Sequence, residues 1–156
     1  MVQPIPDDYP RVSPTLSVDG AAEAIDFYIN VLGMTERMRL DMGGKIGHSE
    51  LVLGESLIMV ADEFPEMGFV GPKSLGGTPV HMSVYVEDVD AIFAAALAAG
   101  AIELRPVEDQ FYGDRSGQFE DPWGHAWNVM THIEDIDPEE MARRTEAAMA
   151  EMAEGS

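Results

Sequence analysis

Ser13-Pro14-Thr15-Leu16-Ser17-Val18, leading into Ala22–Gly33, returns further along the chain as His81-Met82-Ser83-Val84-Tyr85-Val86, leading into Val89–Gly100. An offset of 68 residues lays Ser13 on His81, Thr15 on Ser83 and Ser17 on Tyr85, while the helix ends need 67, one residue of slack. Polar and apolar residues alternate through both hexapeptides, the period of a strand with one buried and one polar face. The helical segment of the first copy carries Ile25, Tyr28, Ile29 and Leu32 on one side and stops at Gly33, a suitable C-cap. Two copies of one strand–helix unit predict a pseudo-symmetric molecule with a site where the copies meet. The second copy opens on a histidine where the first has a serine.

Outward from these units, residues 35–40, 45–53 and 56–61 read as three strands separated by Gly43-Gly44 and Gly54-Glu55 turns, completing a βαβββ module. The second copy continues with a helix over 89–99, a strand over 102–107, a strand over 110–113 with a later extension left open, and a strand over 124–131. A Gly113–Gly117 loop and an Asp121-Pro122-Trp123-Gly124 turn punctuate it. Between the copies, residues 62–79 are rich in Gly and Pro and read as a linker or flap. The predicted fold is α+β: a domain over 12–133 made of modules 12–62 and 79–133, whose curled mixed sheet surrounds a cleft with helices outside. An irregular arm (1–11) precedes it and an acidic helical tail (134–156) follows. In the tail Asp137 suits an N-cap, Pro138 the first turn and Glu140 the capping-box position. Met141, Thr145, Ala148, Met149 and Met152 form a stripe for docking on the domain itself or on a dimer partner.

Composition narrows the functions. In 156 residues there are 9 basic and 29 acidic side chains, a formal charge of −20, which repels nucleic acid and anionic membranes. The chain contains no cysteine, which removes disulfides, thiolate metal sites and cysteine nucleophiles. No apolar run approaches the roughly 20 residues of a membrane span, and Met1–Pro10 does not resemble a signal sequence, so a cytoplasmic protein is expected. There is no nucleophile elbow, phosphate loop or dinucleotide fingerprint.

Alternation sorts the strand residues by face. Ser13, Thr15, Ser17, His48, Glu50, His81, Ser83, Tyr85 and Asn128 fall on polar faces and would line a groove. His48, Glu50 and His81 supply the imidazole nitrogen and carboxylate oxygen that a divalent metal needs. Glu50 is also a candidate catalytic base. The plainer reading has these three bonding to each other or to water. Arg115 either anchors a substrate carboxylate or pairs with Asp114, Glu120 or Asp121. Tyr112 and Phe111 form a lip of the cleft or bury their loop; Trp123 and Trp127 read as packing residues; His125 satisfies local hydrogen bonds; Arg143 and Arg144 are solvated.

Three motifs carry a family resemblance: Ala24-Ile25-Asp26-Phe27-Tyr28 with Val31-Leu32-Gly33-Met34; Asp88-Val89-Asp90 leading to Ala98-Ala99-Gly100-Ala101; and Phe119-Glu120-Asp121-Pro122-Trp123-Gly124-His125. With them the chain resembles the vicinal oxygen chelate superfamily, which includes glyoxalase I, bleomycin-resistance proteins and extradiol dioxygenases. Tyr112-Gly113-Asp114-Arg115, Trp127-Asn128 and the tail through Pro138-Glu139-Glu140-Met141 resemble its PhnB-like branch. The resemblance implies paired βαβββ modules, a homodimer, and metal-ligand positions at Ser13, Glu50, His81 and Asn128. Only Glu50 and His81 are ordinary ligands there, with His48 available as a third.

The expected function is therefore small-molecule binding beside an incomplete metal site, with either a divalent metal (Zn, Ni, Mn or Fe) or no cofactor. Glu50 stands as the catalytic candidate and as a metal ligand with His81. His48, His81, Tyr85, Tyr112, Arg115 and Asn128 are the ligand-binding candidates, with Met130 adding apolar contact. The alternatives are a metal-dependent lyase, isomerase or dioxygenase acting on vicinal oxygens, and an antibiotic-sequestering protein whose acidity attracts cationic drugs.

Overall fold

The computed structural model describes residues 1–155. The chain divides into two compact units, Met1–Pro79 with Pro122–His125, and Val80–Asp121 with Ala126–Ser156. Each holds a four-stranded mixed sheet backed by a helix, and the architecture is α+β.

In the first unit β1 (Thr15–Val18), α1 (Ala21–Leu32), β2 (Thr35–Asp41), β3 (Ile46–Leu53) and β4 (Ser56–Asp62) give the strand order β1-β4-β3-β2. Strand β1 runs parallel to β4 and the other neighbours are antiparallel. The register aligns Leu16 with Val60 and Leu51 with Ile58, so one face presents apolar side chains to the helix. Ala24, Ile25, Tyr28, Val31 and Leu32 of α1 are buried. The helix ends at Gly33, whose φ of 75° is the left-handed conformation that glycine adopts without a Cβ penalty. At its other end the Asp62 carboxylate accepts from the Gly20 and Ala21 amides. Trp123 packs edge-on against Phe27 and Tyr28, which seats residues 122–125 in this unit.

The second unit repeats the plan: β5 (His81–Tyr85), α3 (Val89–Ala98), β6 (Ile102–Asp109), β7 (Asp114–Glu120) and β8 (Ala126–His132), ordered β5-β8-β7-β6. Phe119, Trp127 and Val129 are fully buried, and Phe93 of α3 meets Phe119 edge-on. Trp127 donates its indole N–H to the buried Asp121 carboxylate at 2.9 Å. A final helix, α4 (Pro138–Glu154), has none of its residues buried. Asp137 caps it by accepting from the Glu140 amide. The Glu140 carboxylate turns instead to Arg143 and Arg144.

Three sequence expectations need correction. The strand expected at 110–113 is a turn, closed by the Gly113 amide on the Gln110 carbonyl, and residues 114–117 of the expected loop are the first half of β7. Gly117 misleads because it serves packing: a Cβ there would lie 2.8 Å from Val107 and 2.9 Å from the Phe93 ring. Strand β1 starts at Thr15, since Pro14 has no N–H for the ladder, although its carbonyl still accepts from Met59. The Gly/Pro-rich 62–79 stretch is built, with a 3-10 turn (Pro65–Met67), a short helix α2 (Pro72–Leu75) and a Phe64–Phe69 bridge. The Glu63 carboxylate gathers it by accepting from the Gly71 amide and the Ser74 hydroxyl.

Gly117→Ala tests the helix–sheet fit. It forces the buried Phe93 ring to move and should destabilise the protein by about 1–3 kcal/mol in chemical denaturation.

Candidate functional site

The helix-free face of the first sheet centres on Glu50. The register sets Thr15 beside Met59 and Met59 beside Glu50, so this face carries Thr15, Met59 and Glu50 in one row. Glu50 is only 2% exposed, and a buried carboxylate has to be neutralised or protonated. Strand β2 supplies the counter-charge through an irregularity. Glu36 pairs with Leu51 and Met38 with Glu50, so two residues, Arg37 and Met38, oppose one on β3. Such a bulge re-aims a side chain. Here Arg37 donates from Nε and Nη2 to Oε1 of Glu50, at 3.0 and 2.8 Å. His48 Nε2 lies 3.0 Å from Oε2 and therefore carries its proton. Tyr9, from the N-terminal arm, donates its hydroxyl at 2.9 Å to Oε2 and 3.1 Å to Oε1, and its ring covers the Arg37 guanidinium at 4.3 Å.

These contacts fill the carboxylate, which has about four acceptor directions. Burial alone would push the Glu50 carboxyl up; the hydrogen bonds from His48, Arg37 and Tyr9, with the Arg37 charge, outweigh it and hold the group below its ordinary value. Arg37 is correspondingly raised, chiefly by its hydrogen bond to Glu50. Glu50 is thus an ionised internal anchor, already occupied by donors. A divalent ion bound to it would displace a guanidinium or sit against one. Among the described residues no three His, Asp or Glu side chains are grouped to hold a metal. The residues present do not fit a tightly held cation.

Other predicted positions differ in setting. Ser13 and Ser17 are buried hydroxyls without a hydrogen-bond partner among the described residues. In the second unit His81 is exposed at the start of β5. Asn128 is half-buried, and its amide donates to the Met130 sulfur at 3.3 Å. Ser83 aligns with Asn128, Asn128 with Gln118 and Gln118 with Arg105, giving a helix-free row of a hydroxyl, two carboxamides and a guanidinium. Tyr112 stacks edge-on against Phe111, with centroids 5.2 Å apart. Arg115 is held by Asp90 and Asp109, not by the expected Asp114, Glu120 or Asp121. His125 Nε2 donates to the Ser17 carbonyl at 3.0 Å, 108 residues away.

A second polar cluster escaped sequence reading. Asp114 on β7 is buried and pairs across the ladder with His132 on β8. Its carboxylate accepts from the Tyr85 hydroxyl at 2.8 Å and faces His132 Nδ1 at 2.8 Å, while His132 Nε2 meets Asp135 at 2.8 Å. Imidazolium is the form that donates to both carboxylates. The hydrogen bond that His132 donates to Asp114, then the one to Asp135, raises His132 against a smaller opposing effect of burial. Tyr85 is raised too, first by its bond to Asp114. The missed signals are Asp114 and His132 themselves, hidden when 113–117 is assigned to a loop.

The family model described as the Glyoxalase/Bleomycin resistance protein/Dioxygenase superfamily matches residues 11–129. The chain belongs to this superfamily. The chain is 39% identical over 150 residues to the uncharacterized protein Mb0911c of Mycobacterium bovis, covering 94% of this chain and 96% of that one. The crystal structure of protein PA1353 from Pseudomonas aeruginosa is similar with a TM-score of 0.67 at 26% identity, covering 80% of this chain and 99% of that one. TnmS3, an antibiotic binding protein from Streptomyces sp. CB03234, shares the superfamily fold with a TM-score of 0.59 at 17% identity, over 79% of this chain and 96% of that one.

The raised His132 implies a definite pH dependence. Its folded value exceeds the unfolded one, so its stabilising contribution is complete below the unfolded value near 6.5 and is lost as pH rises through the folded value. An NMR titration of the imidazole should give a midpoint above 6.5, and Asp135→Asn should lower it.

Proposed function

We propose that this protein binds a small molecule on the helix-free faces of its sheets, as a PhnB-like member of its superfamily, without a catalytic metal. The observation that carries this reading is the occupied state of Glu50. The carboxylate at the position expected to ligate a metal instead accepts hydrogen bonds from Tyr9, Arg37 and His48. His81 would then serve as a hydrogen-bonding group for a ligand rather than as a metal ligand.

Ligand recognition falls most naturally to the second unit. Ser83, Asn128 and Gln118 offer neutral donors and acceptors in one row, beside Tyr85 and Met130, which align with each other in the next. This pattern suits a molecule with polar edges and an apolar or aromatic body. The −20 charge disfavours anionic ligands and favours neutral or cationic ones, which leaves antibiotic sequestration as the second reading. A homodimer is part of the proposal: α4 exposes Met149 and Met152 and buries none of its residues, an amphipathic helix suited to a second copy.

Protein purified without chelator should contain far less than one equivalent of Zn, Ni, Mn or Fe, and Glu50→Gln should leave that content unchanged. In a thermal-shift panel of metabolites and antibiotics, a binding compound should raise the melting temperature of the wild type but not of Asn128→Leu. Stoichiometric metal that disappears in Glu50→Gln would reverse the reading in favour of a metal-dependent enzyme.

A further inference from the structure

The N-terminal arm reaches the first sheet through Asp8 and Tyr9. Residues 1–8 are exposed, and Tyr9 is half-buried. Among the described residues, the hydrogen bonds and ion pair from this arm to the strands all end on Arg37 or Glu50: the Asp8 carbonyl accepts from Arg37 Nη1 at 2.9 Å, the Asp8 carboxylate stands 4.0 Å from the same atom, and the Tyr9 hydroxyl donates to Glu50. The Tyr9 ring adds its stack on the guanidinium.

Taken without the arm, these groups describe a receptor for a phenol. The Glu50 side chain, 3% exposed, is a charged acceptor fixed on a central strand. The Arg37 guanidinium carbon lies 4.3 Å from the ring centroid, so its charge meets the electron-rich face while two of its N–H groups hold Glu50 in place. Arg37 in turn is positioned by the bulge in β2. A phenol keeps its proton at neutral pH, with an ordinary value near 10, and can donate to the carboxylate. A carboxylate or phenolate ligand would meet Glu50 with like charge. An aromatic lacking the hydroxyl would leave an acceptor direction of a buried anion unfilled, which is costly.

We infer that Tyr9 is a resident stand-in for a hydroxyaromatic ligand, and that such a ligand enters this site by displacing the arm. The inference rests on the proposed reading that the helix-free face of the first sheet is a ligand surface, and it assigns that face a chemical class. The arm is suited to exchange, because residues 1–8 are exposed and the bonds of Asp8 and Tyr9 to the strands all end on Arg37 or Glu50. The occupied form then lowers the apparent affinity for an external phenol in proportion to the small arm-off population.

Chemical rescue in the full chain tests this with 4-methylphenol, the tyrosine side chain cut from the backbone. Tyr9→Ala should show a saturable rise in melting temperature with 4-methylphenol and none with toluene, and Tyr9→Ala combined with Glu50→Gln should lose the response. Wild type should bind the phenol at least about tenfold more weakly than Tyr9→Ala. Equal shifts with phenol and toluene, a response that survives Glu50→Gln, or no response in Tyr9→Ala would overturn the inference. Should Tyr9→Ala fail to fold, Tyr9→Phe carries the test: its arm cannot donate to Glu50, so 4-methylphenol should bind it more tightly than wild type, and equal or weaker binding would overturn the idea. A ligand found in the panel and lost in Asn128→Leu, alongside failed rescue, would remove this inference and leave the broader proposal standing.

Discussion

A carboxylate buried on the central strand of a sheet cannot remain ionised without close, well-aligned donors, because desolvation costs several kcal/mol per ion. Glu50 imposes this demand on the first unit, and several irregular features of that unit meet it. The bulge in β2 turns Arg37 onto the face of Glu50, His48 donates to it from Nε2, and the N-terminal arm is drawn in by Tyr9. The repeat shows the same position without the demand. An offset of 68 residues carries Glu50 to Gln118, a neutral amide that aligns with Arg105, and Arg105 remains exposed. One difference between the copies thus separates a face closed by internal ion pairing from a face that presents free polar groups.

This constraint also governs the chemistry available to the superfamily fold here. A glutamate at a metal-ligand position contributes to a metal site only if its oxygens are free for the ion. Those of Glu50 accept from an arginine, a histidine and a tyrosine, and the same donors hold it ionised. Ser13, just before β1, and Ser17 within it, at the positions equivalent to His81 and Tyr85, offer buried hydroxyls in place of an imidazole and a phenol. The resulting surface recognises by hydrogen bonding and stacking, which is the basis of the binding proposal.

Most of the fold was legible because its signals are local. Alternation located β1, β3, β5 and β8, helical spacing located α1, the repeat located α3, and Asp137-Pro138 marked the start of α4. Errors arose where a residue's role depends on distant partners. Gly117 reads as a turn residue but is there to admit the Phe93 ring, which cost the sequence reading most of β7 and with it Asp114. In the candidate site, Glu50 and His48 were found through alternation, while Arg37 was missed because a bulge breaks alternation where it sits. A usable signal existed: a hairpin turning on Gly43-Gly44 brings Arg37 opposite Glu50, one of few basic residues facing an inward acid. Tyr9 had no such signal, since nothing in an irregular arm fixes where its phenol will dock.

The most direct test of the account is the ¹³C titration of the Glu50 carboxyl, run with and without Zn²⁺ in the wild type and in Arg37→Met. Because the folded group is held low, its stabilising contribution is present above the unfolded value near 4.5 and lost as pH falls through the folded one. The account predicts a midpoint below 4.5 that Zn²⁺ does not move, and a rise in that midpoint when Arg37 is replaced. A midpoint above 4.5, or a carboxyl resonance that shifts stoichiometrically with Zn²⁺ at neutral pH, would contradict it.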